Sequence, residues 1–265
     1  MRDFAQTRVA MGGLVLMLAV SFSGCSTIQD ARGGPGQRLD PWESWNRKIF
    51  SFNEGLDKTV LTPVATGYAR AVPQFVRRSV NNVFSNAADA WSAVNNLLQA
   101  KFEPAFQDVV RVTTNTVLGF GGILDIASEF GLEHHYEDFG QTLGTWGFGA
   151  GAYVVWPLLG PSSVRDSVAL PADRWFVSPA EVIGDGRWQG GITLLQIINT
   201  RANLLGASRV IDDIALDKYT FLRDAYLQRR RSLIFDGDGP DTSVDSDGST
   251  IPVEISNPSV PNVQK

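Results

Sequence analysis

The chain of 265 residues carries 23 Lys and Arg against 28 Asp and Glu, a formal net charge of −5, and 43% of its residues are hydrophobic. This apolar fraction can build the core of one large domain or two small ones. The charge balance provides no basic field for nucleic acid or distant anionic lipid, so we expect no nucleic-acid partner.

The first 24 residues have the pattern of a bacterial lipoprotein signal peptide. Two arginines precede a short apolar segment, residues 9–20, and small residues stand directly before Cys25. Cys25 is the single cysteine, which excludes an intramolecular disulfide and a multi-cysteine metal site. We therefore predict cleavage after residue 24 and acylation of Cys25, and Ser26 behind it favours the outer membrane. The alternative is a plain secretory signal with an incidental cysteine.

The folded part is predicted to begin at Asp40. Residues 25–39 are rich in Gly, Ser, Gln and Arg, and this composition predicts a flexible tether behind the acylated cysteine. The string Asp-Pro-Trp-Glu that follows suggests a helix start, with Asp40 as N-cap, Pro41 at the first position and Glu43 completing a capping box. Residues 40–235 are accordingly predicted to form one helical domain.

An apolar stripe runs along the first predicted helix at steps of three and four residues, while charged residues occupy the other faces. A buried core face and a face lying among lipid acyl chains explain this stripe equally well. Its members are Trp42, Trp45, Ile49, Phe52 and Leu56.

Further helices are predicted behind three prolines, Pro63, Pro73 and Pro104, because proline is tolerated in a first helical turn and excluded from helix interiors. No segment alternates cleanly with period two, so we predict an all-α fold. Uncharged polar residues recur between the apolar positions, and we expect several to be loop and cap residues and a minority to line a polar cavity. They are Asn81, Asn82, Asn86, Asn95, Asn96, Gln99 and Asn115.

A glycine-rich turn and a short helix ended by Gly131 are predicted for residues 118–131. The two histidines, His134 and His135, follow as neighbours. Adjacent side chains point in different directions, so we do not expect a two-histidine metal site. We expect both histidines to be solvated loop residues.

The densest glycine and aromatic content lies in residues 137–165. Glycines at Gly144, Gly147, Gly149 and Gly151 interrupt large aromatic side chains, a combination that suggests a hinge or a close-contact loop. The spacing Gly147, Gly149, Ala152 also fits a weak dinucleotide motif, but the prolines behind it leave no room for the crossover helix that such a site needs. The apolar run that follows, residues 153–159, is too short to cross a bilayer.

The sequence after residue 166 predicts irregular chain, because it contains Pro171, Pro179 and glycines at 184–191. A helix is predicted to follow from Ile192. A last helix is predicted from Asp213 to Phe235. Its final turns carry Arg229 to Arg231, predicted to be a solvated helix end or, alternatively, to pair with an acidic partner or lipid phosphate. Residues 236–265 lack a periodic apolar face and are predicted to be a disordered tail.

Motifs of catalysis are missing from the sequence: it contains neither G-x-S-x-G nor H-E-x-x-H, and its one cysteine is assigned to lipidation. We therefore expect a protein that is not an enzyme and needs no cofactor or metal.

Four strings carry a resemblance to a known family across roughly residues 40–235. FGQTLGTWGFGAGAYVVWPLLGPSSVRD resembles the signature region of the MlaA (VacJ) family of Gram-negative outer-membrane lipoproteins, and DPWESWNRKIFSFN, LGFGGILDIASEFG and DKYTFLRDAYLQRR resemble other family segments. Two departures are Ala152, where the family usually has proline, and Trp156, where an aliphatic residue is usual.

The resemblance implies a ring-like, doughnut-shaped arrangement of amphipathic helices in the inner leaflet of the outer membrane, without a spanning helix. It implies a polar channel that clears misplaced phospholipids from the outer leaflet and passes them to the periplasmic carrier MlaC, in association with a trimeric porin such as OmpC or OmpF. Membrane contact is expected at Trp42, Trp45, Phe52 and Trp156, and the segment from Gly144 to Gly151 is expected to form a mobile element beside the channel. The alternative is a structural lipoprotein that scaffolds porins without lipid flux.

Overall fold

A computed structural model describes residues 39–177, 186–235, 242–244 and 250–252. The predicted signal peptide, Cys25 and the tether as far as residue 38 lie outside the described residues. So does most of the predicted tail, but two short strands within it, Thr242–Val244 and Thr250–Pro252, are described and pair antiparallel.

The described chain is mostly helical, which confirms the predicted fold class. In chain order the helices are α1 Glu43–Leu56, a π-helical turn Asp57–Leu61, α2 Thr62–Ala71, α3 Gln74–Leu98, α4 Phe102–Val117, α5 Ile126–Glu129, α6 Phe139–Thr145, α7 Val164–Val177, α8 Gly186–Ile214 and α9 Lys218–Ile234. The strands are β1 Tyr153–Trp156, β2 Gly160–Ser163, β3 Thr242–Val244 and β4 Thr250–Pro252. None of the described helices is both long and apolar enough to cross a membrane.

The prolines mark the helix starts as predicted. Pro63 and Pro104 lie in the first turns of α2 and α4, and Pro73 is the N-cap of α3. Val72 before it is extended (φ −101°, ψ 121°), because proline disfavours helical geometry in the preceding residue, and α2 ends there. Gly131 has φ +77° just behind α5, as its predicted role in ending that helix requires.

The predicted cap at Asp40 is wrong. Helix α1 has Trp42 at its N-cap without any side-chain cap bond, and the buried Asp40 carboxylate instead accepts hydrogen bonds from Asn46 Nδ2 (2.7 Å) and the Tyr219 hydroxyl. A carboxylate that a side chain of α1 and the distant Tyr219 hold inside the protein is not free to cap the first turn of that helix.

Helix boundaries in the second half also differ from prediction. Pro171 lies inside α7, and Gly190 and Gly191 lie inside α8, where irregular chain was expected. Asp213 belongs to the end of α8, and α9 begins only at Lys218 with Asp217 as its N-cap. Packing of α7 on α6 and of α8 on α2 outweighs the low helix propensity of these residues.

A β-hairpin between α6 and α7 is the main departure from an all-α fold. Strand β1 pairs antiparallel with β2, with Tyr153 opposite Ser163 and Trp156 opposite Gly160. Tyr153, Val154 and Val155 are all buried, so both faces of β1 are covered. A strand covered on both faces lacks period-two alternation, which is why the periodicity search missed it.

The other edge of β1 is bonded by side chains of α1. The Asn46 amide donates to the Tyr153 carbonyl (3.1 Å) and accepts from the Val155 N–H (2.9 Å). Two helical turns later, the Asn53 amide donates to the Trp156 carbonyl (2.9 Å) and accepts from the Leu158 N–H (2.8 Å). These four bonds attach the hairpin to α1.

Polarity is inverted over much of the fold. In α3 the amides Asn95 and Asn96 are buried, whereas the neighbouring Leu97 and Leu98 are exposed. Some of the largest apolar side chains are the most exposed, among them Phe75 (70%), Phe106 (69%) and Val117 (70%). Exposed apolar side chains of this size mark an interaction surface, for another protein or for lipid.

Candidate functional site

The largest of three cavities along α8, about 810 Å³, lies between the π-helical turn, the hairpin loop, the end of α7 and α8. Its wall is mixed, with apolar side chains from the hairpin loop and polar ones from the helices. The lining residues are Leu61, Leu158, Leu159, Asp173, Arg174, Val177, Thr193, Gln196, Ile197, Thr200, Arg201 and Leu204.

Two smaller cavities continue from it. A cavity of about 220 Å³ shares Val177, Gln196 and Thr200 with the largest one, so the two adjoin. A third, of about 410 Å³, shares Asn81 with the second. The three therefore form a row of spaces along α8, of which the two smaller ones also border α3, and we call this row the α3–α8 path.

Both helices present a polar stripe to this path at helical spacing. Successive turns of α3 contribute the amides, guanidinium groups and hydroxyl of Gln74, Arg77, Arg78, Asn81, Asn82 and Ser85. Helix α8 contributes Gln196, Asn199, Thr200 and Asn203 at intervals of three, one and three. Side chains spaced three and four apart share one helix face, so each helix turns a polar face to the path. The prediction that some of the asparagines line a polar cavity is confirmed for Asn81 and Asn82.

The α8 stripe is held in place by bonds to the amino-terminal helices. Tyr68 of α2 donates its hydroxyl to Asn199 Oδ1 (3.1 Å). Arg201 binds both oxygens of Asp57 in the π-helical turn, at 2.6 and 2.7 Å. This bidentate contact lowers the pKa of the Asp57 carboxyl below its usual range. The pair therefore acts as a charged clamp between the π-helical turn and α8.

Asp173 in the wall of the largest cavity is a structural acceptor. Its Oδ1 accepts from Trp91 Nε1 and from the Phe139 N–H, each at 2.8 Å. Trp91 also stacks on Phe176, with ring centroids 4.4 Å apart. Burial raises the pKa of Asp173, since these neutral donors compensate only part of its desolvation.

The four glycines singled out in the sequence have different structural roles. At Gly144 in α6 an added Cβ would lie 2.8 Å from Arg165 Nη1, and at Gly151 3.0 Å from Val164 Cβ. Gly147 has φ +92° in open space, whereas Gly149 has neither a positive φ nor a close neighbour. Close contact thus requires Gly144, a positive φ requires Gly147, and both reasons apply to Gly151, whose φ is +70°. None of the four lines the cavities described above, and of this region only the hairpin loop does.

Packing also requires Gly140, which sequence reasoning missed. A Cβ there would lie 2.6 Å from Asp166 Oδ1 and 2.7 Å from Arg230 Nη2. Arg230 reaches back from α9 to contact Asp138 and Asp166, both on elements far earlier in the chain. The predicted solvated arginine end is therefore wrong for Arg230, and the alternative of an acidic partner applies.

Asp166 is the centre of this cluster. It accepts from Arg165 Nη2 (2.8 Å), Arg230 Nη2 (3.0 Å) and the Tyr226 hydroxyl (2.7 Å). Burial raises the pKa of Asp166, but the two guanidinium groups and the hydroxyl outweigh it, so the pKa lies below its usual range. Both oxygens of this carboxylate are thus occupied by donors of the protein.

The two histidines are not solvated as predicted, because each contacts a buried aspartate. His134 Nδ1 lies 2.9 Å from Asp89 Oδ1, and its Nε2 lies 2.7 Å from Arg111 Nη2. A guanidinium can only donate, so Nε2 accepts and Nδ1 carries the proton given to Asp89. His135 Nδ1 lies 3.2 Å from Asp108 Oδ1. Across the described ranges, no three His, Cys, Asp or Glu side chains are grouped as metal ligands.

The four candidate membrane-facing residues all lie on the surface. Trp45 and Phe52 of α1 are 57% and 56% exposed, and Trp42 and Trp156 are also exposed. Trp156 Nε1 donates to Ser167 Oγ (2.8 Å), so its polar atom is satisfied within the protein while its ring remains outside. Of the two explanations for the α1 stripe, the structure thus favours an outer apolar face at these positions.

Comparison with known proteins gives consistent matches. A protein-family model described as MlaA lipoprotein matches residues 38–233. The Escherichia coli K12 protein named intermembrane phospholipid transport system lipoprotein MlaA is 32% identical over 216 residues, covering 78% of this chain and 81% of that one. The Haemophilus influenzae protein of the same name is 29% identical over 226 residues, covering 84% and 89%. An uncharacterized Rickettsia bellii protein is 32% identical over 214 residues, covering 81% and 82%.

A solved structure agrees with these matches. It was described as a structural basis for maintenance of bacterial outer membrane lipid asymmetry, and it superposes with a TM-score of 0.66 at 32% identity. The match covers 74% of this chain and the whole of the other. The family model spans most of the sequence, and the E. coli relative exceeds 30% identity over four fifths of its length. The chain therefore belongs to the MlaA lipoprotein family.

Proposed function

We propose that this chain is an outer-membrane lipoprotein that transports phospholipids and thereby maintains the lipid asymmetry of that membrane. The relatives from E. coli and H. influenzae are named as lipoproteins of an intermembrane phospholipid transport system. Membership of a lipid-transport family confirms the prediction that the chain is not an enzyme.

The observation that carries this proposal is the inverted polarity of the fold. Polar stripes of α3 and α8 line the partly open α3–α8 path, while large apolar side chains such as Phe75 and Phe106 lie exposed on the surface. Moving a phosphate head group through hydrocarbon is costly because its hydrogen bonds to water are lost. A polar path replaces those bonds, and an apolar exterior can sit among acyl chains.

We further propose the finer features that the family resemblance implied. The helices form a ring within the inner leaflet, Cys25 carries the lipid anchor, and Trp42, Trp45, Phe52 and Trp156 contact acyl chains. Head groups from misplaced outer-leaflet lipids move along the α3–α8 path towards the periplasmic carrier MlaC, with a trimeric porin of the OmpC or OmpF type as membrane partner. The mixed wall of the largest cavity supports this assignment, since it offers both apolar and polar contacts.

The glycine-rich segment is proposed to control movement of the hairpin loop, whose Leu158 and Leu159 line the largest cavity. Gly147 is the position on which this depends, because φ +92° is inaccessible to proline and the Gly147 N–H donates to the Gly144 carbonyl (2.9 Å). We expect Gly147→Pro to alter transport in a folded protein. Unchanged transport would contradict the role of this segment.

The proposed function is tested by measuring phospholipid in the outer leaflet of the outer membrane. Cells lacking the protein are complemented with wild type, Cys25→Ala, Gln196→Leu or the control Gln107→Leu. Gln196 lines two of the cavities, whereas Gln107 lies on α4 and lines none of them. We expect outer-leaflet phospholipid to rise on deletion and to be restored by wild type and Gln107→Leu only.

The result that contradicts transport is an unchanged outer leaflet on deletion. That outcome would favour the alternative of a structural lipoprotein, which porin pull-down would then examine. If Gln196→Leu restores the wild-type level while deletion raises it, transport stands but the α3–α8 path is not its route.

A further inference from the structure

The 410 Å³ cavity at the start of α3 differs from the rest of the α3–α8 path in its charge. Arg77 and Arg78 enter it together, accompanied by the amides of Gln74, Asn81, Asn82 and Asn203, and Ala202 is the remaining lining residue. Among the described residues that line it, none carries a carboxylate. The space is therefore surrounded by hydrogen-bond donors and two positive charges.

Both arginines lack a counter-charge within the described part of the chain. Neither forms an ion pair or a side-chain hydrogen bond there, and the Arg77 Nε is buried without a partner. Two other arginines are ion-paired: Arg111 binds Asp89 and Asp125, and Arg230, whose Nε also lacks a partner, binds Asp138 and Asp166. What distinguishes Arg77 and Arg78 is therefore their uncompensated charge, and two adjacent guanidinium groups without a carboxylate point to an anionic acceptor from outside the chain.

The backbone adds to the positive potential of this cavity. Gln74 is the first residue of the 25-residue helix α3, whose first turn contains no acidic residue and whose N-cap, Pro73, offers no capping side chain. The amino-terminal end of a helix carries a partial positive charge, which here lies beside the two guanidinium groups. This contribution would be incidental alone, but it has the same sign as the side chains that line the cavity.

We infer that the cavity lined by Arg77 and Arg78 is a binding site for the phosphate of an anionic or zwitterionic phospholipid head group. This inference rests on the proposed function and deepens it by placing a head-group station at one end of the α3–α8 path. Guanidinium groups form bidentate, charge-assisted bonds to phosphate oxygens, and the amides supply neutral donors around them. The exposed Phe75 lies next to Gln74 in sequence, so acyl chains can remain outside while the head group enters.

The test is equilibrium binding to the full-length protein in a non-ionic detergent with three probes. Dihexanoyl phosphatidylglycerol presents the phosphate with short chains, dihexanoylglycerol presents the chains alone, and inorganic phosphate presents the anion alone. The variants are Arg77→Gln/Arg78→Gln, the single Arg78→Gln, and Arg77→Lys, which keeps the charge. Arg209→Gln is the control, since Arg209 is exposed on α8 and lines none of the described cavities.

We expect the double variant to bind the phospholipid at least about tenfold more weakly, because two charge-assisted bonds are lost. Arg78→Gln should weaken binding less than the double variant does. Arg77→Lys should bind between wild type and the double variant, because it keeps the charge but loses the bidentate geometry, and Arg209→Gln should equal wild type. Dihexanoylglycerol binding should not change in any variant. Phosphate that competes with the phospholipid in wild type but not in the double variant would identify the anion as the recognised group.

Unchanged phospholipid affinity in the double variant would overturn the inference, as would an equal loss of phospholipid and dihexanoylglycerol binding. If the double variant does not fold, Arg78→Gln decides the matter, because Arg78 is exposed and its replacement disturbs no buried contact. The outcome is independent of the cellular assay. If phosphate binding depends on the arginines but deletion leaves the outer leaflet unchanged, the transport proposal is refuted and the binding site stands. If deletion raises outer-leaflet phospholipid but binding does not depend on the arginines, the site is refuted and the transport proposal stands.

Discussion

Replacing Arg111 by methionine provides the sharpest test of the buried ionic core. The Arg111 side chain is fully buried between α3, α4 and α5, and it contacts Asp89 (3.2 Å), Asp125 (3.1 Å), His134 Nε2 (2.7 Å) and the Leu132 carbonyl. Methionine has a similar length and fills much of the volume, but it leaves the buried Asp89 without its guanidinium partner.

The expected loss is large because the partner remains buried and charged. Removing one member of a buried ion pair costs about 3 to 5 kcal/mol. For a domain of this size each kcal/mol lowers the melting temperature by about 2 to 4 °C, so Arg111→Met should lower it by about 6 to 20 °C. Exposed Arg209→Met, the control with the same chemical change, should remain within about 0.5 kcal/mol of wild type.

Circular dichroism follows unfolding by heat, for the melting temperature, and by urea, for the free energy of unfolding, at fixed detergent and protein concentration. Adding Asp89→Asn to Arg111→Met removes the unpaired buried charge and should restore at least about 1 kcal/mol of unfolding free energy. The effects of substitutions at two contacting residues are not additive. A loss under about 1 kcal/mol for Arg111→Met, or strictly additive losses in the double variant, would refute the view that this pair is a mutually dependent unit.

Three further substitutions test separately the backbone conformation of Gly147, the charge of Asp57 and the exposed ring of Trp45. Gly147→Ala should cost about 1 to 2 kcal/mol because φ there is +92°, whereas Gly149→Ala, free of both strain and neighbours, should be neutral; urea unfolding of both compares them directly. The lowered pKa of Asp57 means that its stabilising contribution is present above its ordinary value of 3.8 and is lost as the pH falls through the folded-state pKa. Asp57→Asn should therefore be less stable than wild type at pH 7, with the difference shrinking below about pH 4, and a pH-independent difference would contradict this reasoning. Trp45→Ser should leave unfolding in detergent within about 0.5 kcal/mol but weaken partition into phospholipid vesicles, and equal partition would argue against a membrane-facing role.

Local signals predicted the local structure well. The prolines at 63, 73 and 104 marked three helix starts, and Gly131 marked a helix end, because these residues act on their immediate neighbours. The failures were long-range. Asp40 resembled a cap, but its hydroxyl partner Tyr219 stands 179 residues later in the chain. No local pattern contains information about such a contact.

For the candidate site, the sequence predicted which residue types line it but not which helices form its walls. Asparagines of α3 could be recognised as unusual, but the facing stripe on α8 becomes a wall only through packing of the two helices. His134 and Arg230 illustrate the same difficulty for charged residues: both carry signals typical of solvated positions, and both find aspartates on distant elements. Burial of a polar side chain depends on a partner that the sequence does not place beside it.

The two asparagines of α1 that bond the hairpin make the helix act as a third strand. Asn46 and Asn53 each offer one donor and one acceptor, the same pair that a residue of a neighbouring strand would offer to β1. A two-stranded hairpin would otherwise leave an open edge, which invites pairing with other chains. Because a helix cannot add a further strand, this arrangement removes the outer edge of β1 as a site where another chain could pair.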